Sequence, residues 1–130
     1  MTVTLITAGF IGLLMLVTSI QTGRMRGKTE TSLGEGNDIN LLGAIRAHGN
    51  LTEYAPMVLI LIGGMEYLKA NATLVMVMGI VFVVARISHA FGLINHPEGT
   101  VVFRAIGALG TMIVLAVSAV TVILLAYGIL

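Results

Sequence analysis

The fold class predicted by this sequence is an all-α integral membrane protein, a four-helix up-down bundle. Three observations predict it. The 130 residues are 57% hydrophobic and only 10% charged, with a mean hydropathy of +1.02, which is a membrane composition. Apolar stretches recur at close to the roughly 20 residues that cross about 30 Å of hydrocarbon. The segments between them are short and polar, so consecutive spans run antiparallel. No stretch is left over for a separate soluble domain, and 1–130 reads as a single domain.

The first helix is expected over about 2–26. Thr2 to Gly23 carries no charge, and Arg24, Arg26 and Lys28 follow as a basic stop at an interface. No basic residue precedes the apolar stretch and no small-residue cleavage site follows it, so it reads as an uncleaved span, not a signal peptide. Thr29 to Asn40 holds three acids and two glycines without an apolar run, which makes it a loop outside the membrane. Asp38 or Asn40 can cap the next helix.

The second helix, about 40–68, carries the run Ile45-Arg46-Ala47-His48-Gly49-Asn50-Leu51-Thr52-Glu53-Tyr54-Ala55-Pro56. Its fully apolar part, Met57 to Met65, is too short to span a bilayer alone, so the polar run lies partly within hydrocarbon. Charged groups there cost a few kcal/mol each and mark candidate functional sites. At about 100° per residue, Arg46, Asn50 and Glu53 fall within roughly 60° of one another, with His48 on nearly the opposite side. His48 is therefore expected to hydrogen-bond between helices. Glu53 lies about 24 Å from the far interface. Pro56 removes a backbone hydrogen bond and is expected to kink the helix there.

Glu66 to Asn71 forms a short far-side turn. The third helix, about 72–94, is apolar to Ala85 and then carries Arg86 and, on the same face, His89. Arg86 lies about 21 Å from the far turn, close to the depth of Glu53, which makes the two expected partners; neither is tolerable there alone. Asn95 to Gly99 returns the chain to the near side, with His96 solvated. Arg104 opens the fourth helix, about 101–128, and Ala105 to Leu130 holds no charge. Gly107, Ala108, Gly110 and Thr111 supply small residues for close packing. Tyr67 and Tyr127 read as interfacial belt residues.

Arg24, Arg26, Lys28, Arg46 and Arg104 gather at one end, and Lys69 alone marks the other. The positive-inside rule makes the basic end cytoplasmic and leaves both termini on the opposite side; the expected location is a bacterial inner membrane. The formal charge of +1 gives no reason to expect a nucleic-acid partner. Without cysteine there is no disulfide, no thiolate metal site and no thiol nucleophile, so sulfur chemistry needs a thiol carried in by a small molecule. The eight methionines read as adaptable packing, not a metal or haem site.

The spacing Arg46-Ala47-His48-x-Asn50-x-x-Glu53-Tyr54-x-Pro56 resembles the second-helix signature of the membrane-associated proteins in eicosanoid and glutathione metabolism, the MAPEG family. Arg86-Ile87-Ser88-His89 resembles that family's third-helix Arg-x-x-His/Tyr run. The resemblance implies a homotrimer with glutathione, as co-substrate, held between subunits near the cytoplasmic side. Carried over residue by residue, it implies glutathione contacts from Arg24, Arg46, Asn50, Glu53, Tyr54, Arg86 and His89. Arg104 resembles the arginine that stabilises the thiolate and is the candidate catalytic residue. There are two departures: Leu93 where several members have tyrosine, and Ala105 where some catalytic members have serine.

The chemistry fits independently of the resemblance. Glutathione carries two carboxylates, an ammonium and a thiol. Arginines bind carboxylates through paired charge-assisted hydrogen bonds, Glu53 can receive the ammonium, and a guanidinium lowers a thiol pKa. A site at the bilayer edge admits a charged thiol from water and a lipophilic electrophile from lipid. The expected function is a glutathione-dependent membrane transferase or peroxidase acting on lipophilic electrophiles. Leu93 and Ala105 motivate the alternative, a non-catalytic membrane module that binds a lipid or anionic metabolite, like the lipoxygenase-activating branch. A small multidrug exporter would also use an intramembrane glutamate, but it needs an anionic pocket, and this stripe is rich in arginine.

Overall fold

The computed structural model describes residues 1–99 and 101–130. It contains four helices, α1 (Thr2–Lys28), α2 (Ile39–Tyr67), α3 (Ala72–Asn95) and α4 (Val102–Ala126), and no strand among the described residues. α1, α3 and α4 are each long and apolar enough to cross a membrane. α2 has the length but not the composition, because the polar run interrupts it. It continues without a break through Pro56.

α2 and α3 form the middle of the bundle and each touches every other helix, whereas α1 and α4 flank them and do not meet. The core between them is built from Ile11, Leu51, Val58, Ile62, Phe82 and Val114, all essentially inaccessible. Large apolar side chains such as Phe10, Leu13, Ile60, Ile80, Leu109 and Ile123 face outward. Water would penalise that surface, and lipid accepts it.

Local chemistry sets the helix ends. Asp38 accepts from the backbone N–H groups of Asn40 and Leu41 at 2.8 and 2.9 Å, so the cap falls to Asp38 and not to Asn40. Asn71 caps α3 in the same way. Arg26 donates to the carbonyls of Thr31, Ser32 and Gly34 and straps the first loop down. Glu66 does more than sit in a turn. From the last turn of α2 its carboxylate accepts from Val3 N, Thr4 N and Thr4 Oγ1 at 3.0, 2.9 and 2.7 Å, satisfying the open N-terminus of α1 with a charge of the favourable sign.

Three buried threonine hydroxyls are satisfied in the way hydrocarbon requires, whereas Ser118 Oγ is buried without a partner among the described residues. Thr7, Thr18 and Thr111 each donate to a carbonyl one turn back in their own helix. Thr18 Oγ1 also lies 2.9 Å from His48 Nδ1, the interhelix hydrogen bond expected of His48.

At Gly107 α3 and α4 pack backbone against backbone. A Cβ there would lie 2.6 Å from the His89 backbone nitrogen, so only glycine permits the approach. Gly107→Ala must push the helices apart, and we expect a loss of about 1–3 kcal/mol, the usual cost of overpacking. Thermal unfolding in detergent reads this directly, and an unchanged midpoint would contradict the packing.

Candidate functional site

At the basic end, α2, α3 and the first turn of α4 enclose a cleft of about 250 Å3 lined by Arg46, Asn50, His89, Leu93 and Arg104. Helical periodicity brings these residues together. Arg46 and Asn50 are one turn apart on α2, His89 and Leu93 one turn apart on α3, and Arg104 enters from α4. Gly92 makes room for the last of these, since a Cβ there would lie 2.8 Å from Arg104 Cγ.

Arg86 lies at the inner edge of this constellation and is 2% exposed. One terminal nitrogen donates to Asn50 Oδ1 at 2.6 Å and the other to the Gly107 carbonyl at 3.0 Å. Its guanidinium carbon sits 5.7 Å from the centre of the Tyr54 ring, within cation–π range. Its Nε is buried without a partner among the described residues.

The expected Arg86–Glu53 ion pair is not formed. Arg86 does lie level with this stretch of α2, meeting Asn50 and Tyr54, but the angle about the helix axis turns Glu53 away from it. Asn50, three residues before Glu53, turns toward α3, while Glu53 turns outward and is 57% exposed, with its Oε1 3.9 Å from Arg46 Nη1. A neutral amide and a main-chain carbonyl bared by Gly107 solvate the buried guanidinium without a second ion having to leave water.

His89 Nδ1 lies 2.9 Å from the Arg104 carbonyl. A carbonyl can only accept, so Nδ1 carries the proton and Nε2 is the ring position left for another group. This bond also ties α3 to the start of α4, next to the arginine side chain that lines the cleft.

Besides Arg86, three of the site residues expected from sequence stand outside the cleft wall. Arg24 is exposed on α1, Glu53 is on the outer flank of α2, and Tyr54 is under Arg86. The ion pairs among the described residues are Met1–Glu66 and Arg46–Glu53. Arg86 and Arg104 therefore face no carboxylate, and the cleft wall itself contains none.

This fold and cleft define a class: a small polytopic helical membrane protein whose arginine-rich recess opens at one end of the bundle. The chain belongs to the MAPEG family, whose model matches residues 4–124. It is 35% identical over 80 residues to the inner membrane protein YecN of Escherichia coli, in strain K12 and in an O6:H1 strain. That alignment covers 62% of this chain and 61% of YecN, so the chain spans about 61% of the length of the curated relatives it matches. No solved structure matches it.

Proposed function

We propose that the arginine cleft binds glutathione and that the protein is a glutathione-dependent membrane transferase or peroxidase for lipophilic electrophiles. The observation that carries this reading is the convergence of Arg46 and Arg104 on one recess with Asn50 and His89 and with no carboxylate in its wall. Two cations in a recess without an acid form a receptor for an anion. Glutathione supplies two carboxylates for them and a thiol whose ionised form Arg104 favours. The basic end is then the cytoplasmic one, where a charged thiol enters from water.

One chain encloses the site only in part. The recess falls just short of the roughly 300–1,000 Å3 of ordinary ligand pockets, and the face of α2 beside it is uncovered. On that side Arg46, Glu53, Ile60 and Tyr67 are all exposed and recur every seven residues, the spacing of a helix–helix seam. An exposed carboxylate at this depth needs protein or a water-filled cavity beside it, not lipid. A homotrimer packed through this seam covers Glu53 and brings its carboxylate, the Tyr54 hydroxyl and a neighbour's Arg24 to the edge of the site.

A charge exchange tests the assembly. Arg46→Glu and Glu53→Lys should each weaken it, and the pair together should recover part of it, a coupling of about 0.5–3 kcal/mol. Sedimentation in detergent measures this; additive losses would remove the seam.

Calorimetric titration with glutathione, followed by conjugation of a chloronitrobenzene, tests the function. Binding with turnover supports an enzyme. Binding without turnover favours the non-catalytic reading, for which the apolar Leu93 in the cleft wall and Ala105 beside Arg104 are the specific observations. No binding at all removes both forms of the glutathione proposal.

A further inference from the structure

On the opposite side of α3 from the arginine cleft, a second recess runs between the parallel helices α1 and α3. Its upper part, about 350 Å3, lies between Leu14 and Gln21 on one wall and Ile87 and Asn95 on the other. Its lower part, about 230 Å3, continues from Ile87 down to Ile6 and Gly79. The two meet at Ile87, and end to end they reach about 22 Å by the rise from Ile6 to Gln21. At the far end α1 and α3 close on each other, since a Cβ on Gly79 would lie 2.6 Å from Thr7 Oγ1.

The polarity along this groove is graded. The lower part is apolar apart from Thr7, and the two amides, Gln21 and Asn95, stand only at the mouth. Above the mouth, Arg24 and Lys28 follow Gln21 at three and seven residues, on the same stripe of α1, and both are exposed. The order is cations, then amides, then a long apolar trough within the bilayer. That order matches an anionic phospholipid: phosphate, ester region and acyl chain.

The geometry points to a site for one anionic phospholipid from the basic-end leaflet, its acyl chain in the α1–α3 groove and its phosphate near Lys28 and Gln21. A flexible chain fits a narrow concave trough between two helices better than the convex face of another helix does. The cations at the mouth select the headgroup. This site does not depend on the glutathione reading, because the two recesses open on opposite faces of α3 and Lys28 supplies the cation beside the phosphate whether or not Arg24 is engaged by a neighbour.

The chain has no tryptophan, so single tryptophans can report on the groove. Phe91→Trp places the reporter at the mouth, on a side chain already partly exposed. Leu16→Trp, at similar depth on the other face of α1, is the control. Each variant is reconstituted in phosphatidylcholine vesicles holding a minor fraction of brominated phosphatidylglycerol or brominated phosphatidylcholine, with circular dichroism verifying the helices. At Phe91→Trp the anionic quencher should be about fivefold more effective, the attraction of one interfacial cation. At Leu16→Trp the two quenchers should be equivalent. Lys28→Gln should reduce the preference, and Ala90→Leu, which fills the trough, should abolish it. An equal preference at both positions would mean only leaflet-wide charge and would overturn the site. Absence of quenching by either lipid at Phe91→Trp would mean that protein covers the groove, and would overturn it as well.

Discussion

Arg104→Ala should lower glutathione affinity about tenfold or more and nearly abolish turnover at neutral pH. A charge-assisted hydrogen bond contributes about 1.5–3 kcal/mol, and about 1.4 kcal/mol corresponds to a factor of ten in affinity. The rate effect adds to the binding effect. A free thiol ionises near pH 8.5, and only its thiolate attacks an electrophile. A guanidinium beside the sulfur lowers that pKa, so the reactive fraction at pH 7 grows by up to tenfold for each unit of the shift. Removing the guanidinium moves the bound thiol back up, and the rate should then climb with pH over a range where the wild type has already levelled off. The rate of chloronitrobenzene conjugation as a function of pH, at saturating glutathione, measures this. Arg104→Lys keeps the charge but loses the planar fork, so it should restore part of the low-pH rate and little of the affinity. A profile identical in wild type and Arg104→Ala would show that Arg104 serves only to anchor the start of α4.

The fold was legible because hydrocarbon imposes so few solutions. Apolar length set the spans at α1, α3 and α4, and the polar turns at 29–38 and 68–71 set their order. α2 was legible for the opposite reason, since a polar run that breaks an apolar pattern has to be covered by protein. His48 was placed correctly from angle alone, because its distance around the helix from the arginine stripe put it toward α1, where Thr18 meets it.

Depth was easier to read than direction. Arg86 does lie level with the Asn50–Tyr54 stretch of α2, yet which side chain on α2 turns to meet α3 depends on how the two helices are rotated in the packed bundle. That rotation rests on small residues whose effect is not local. Gly107 bares a carbonyl for Arg86 and brings α4 against α3, and Gly92 admits the stem of Arg104. A glycine in a sequence states that space is available but not what occupies it. Glu66 was opaque for a related reason: it caps a helix 62 residues away in the chain, and no spacing rule reaches that far.

The second large effect concerns Arg86. Arg86→Met should destabilise the bundle by about 1–3 kcal/mol, the cost of leaving a neutral hydrogen-bonding partner without its donor. The loss is not spread equally over its partners. The Gly107 carbonyl keeps a donor in Thr111 Oγ1 at 2.9 Å, so the group left stranded is the Asn50 amide, whose oxygen had accepted from Arg86 at 2.6 Å. Adding Asn50→Leu to Arg86→Met should therefore recover part of the stability, as neither partner of that hydrogen bond then remains. Thermal melts of the two single variants and the double variant form the cycle that isolates this coupling. The same three proteins separate a structural arginine from a ligand-binding one. Arg104→Ala leaves the Arg86–Asn50 pair untouched, so any loss of glutathione binding there belongs to the cleft. In the stabilised double variant, a cleft that still binds glutathione, weakened only by the loss of Asn50, makes Arg86 the floor of the site. Loss of all binding from that folded protein, with binding retained in Asn50→Leu alone, would instead assign the unpartnered Nε of Arg86 to the ligand.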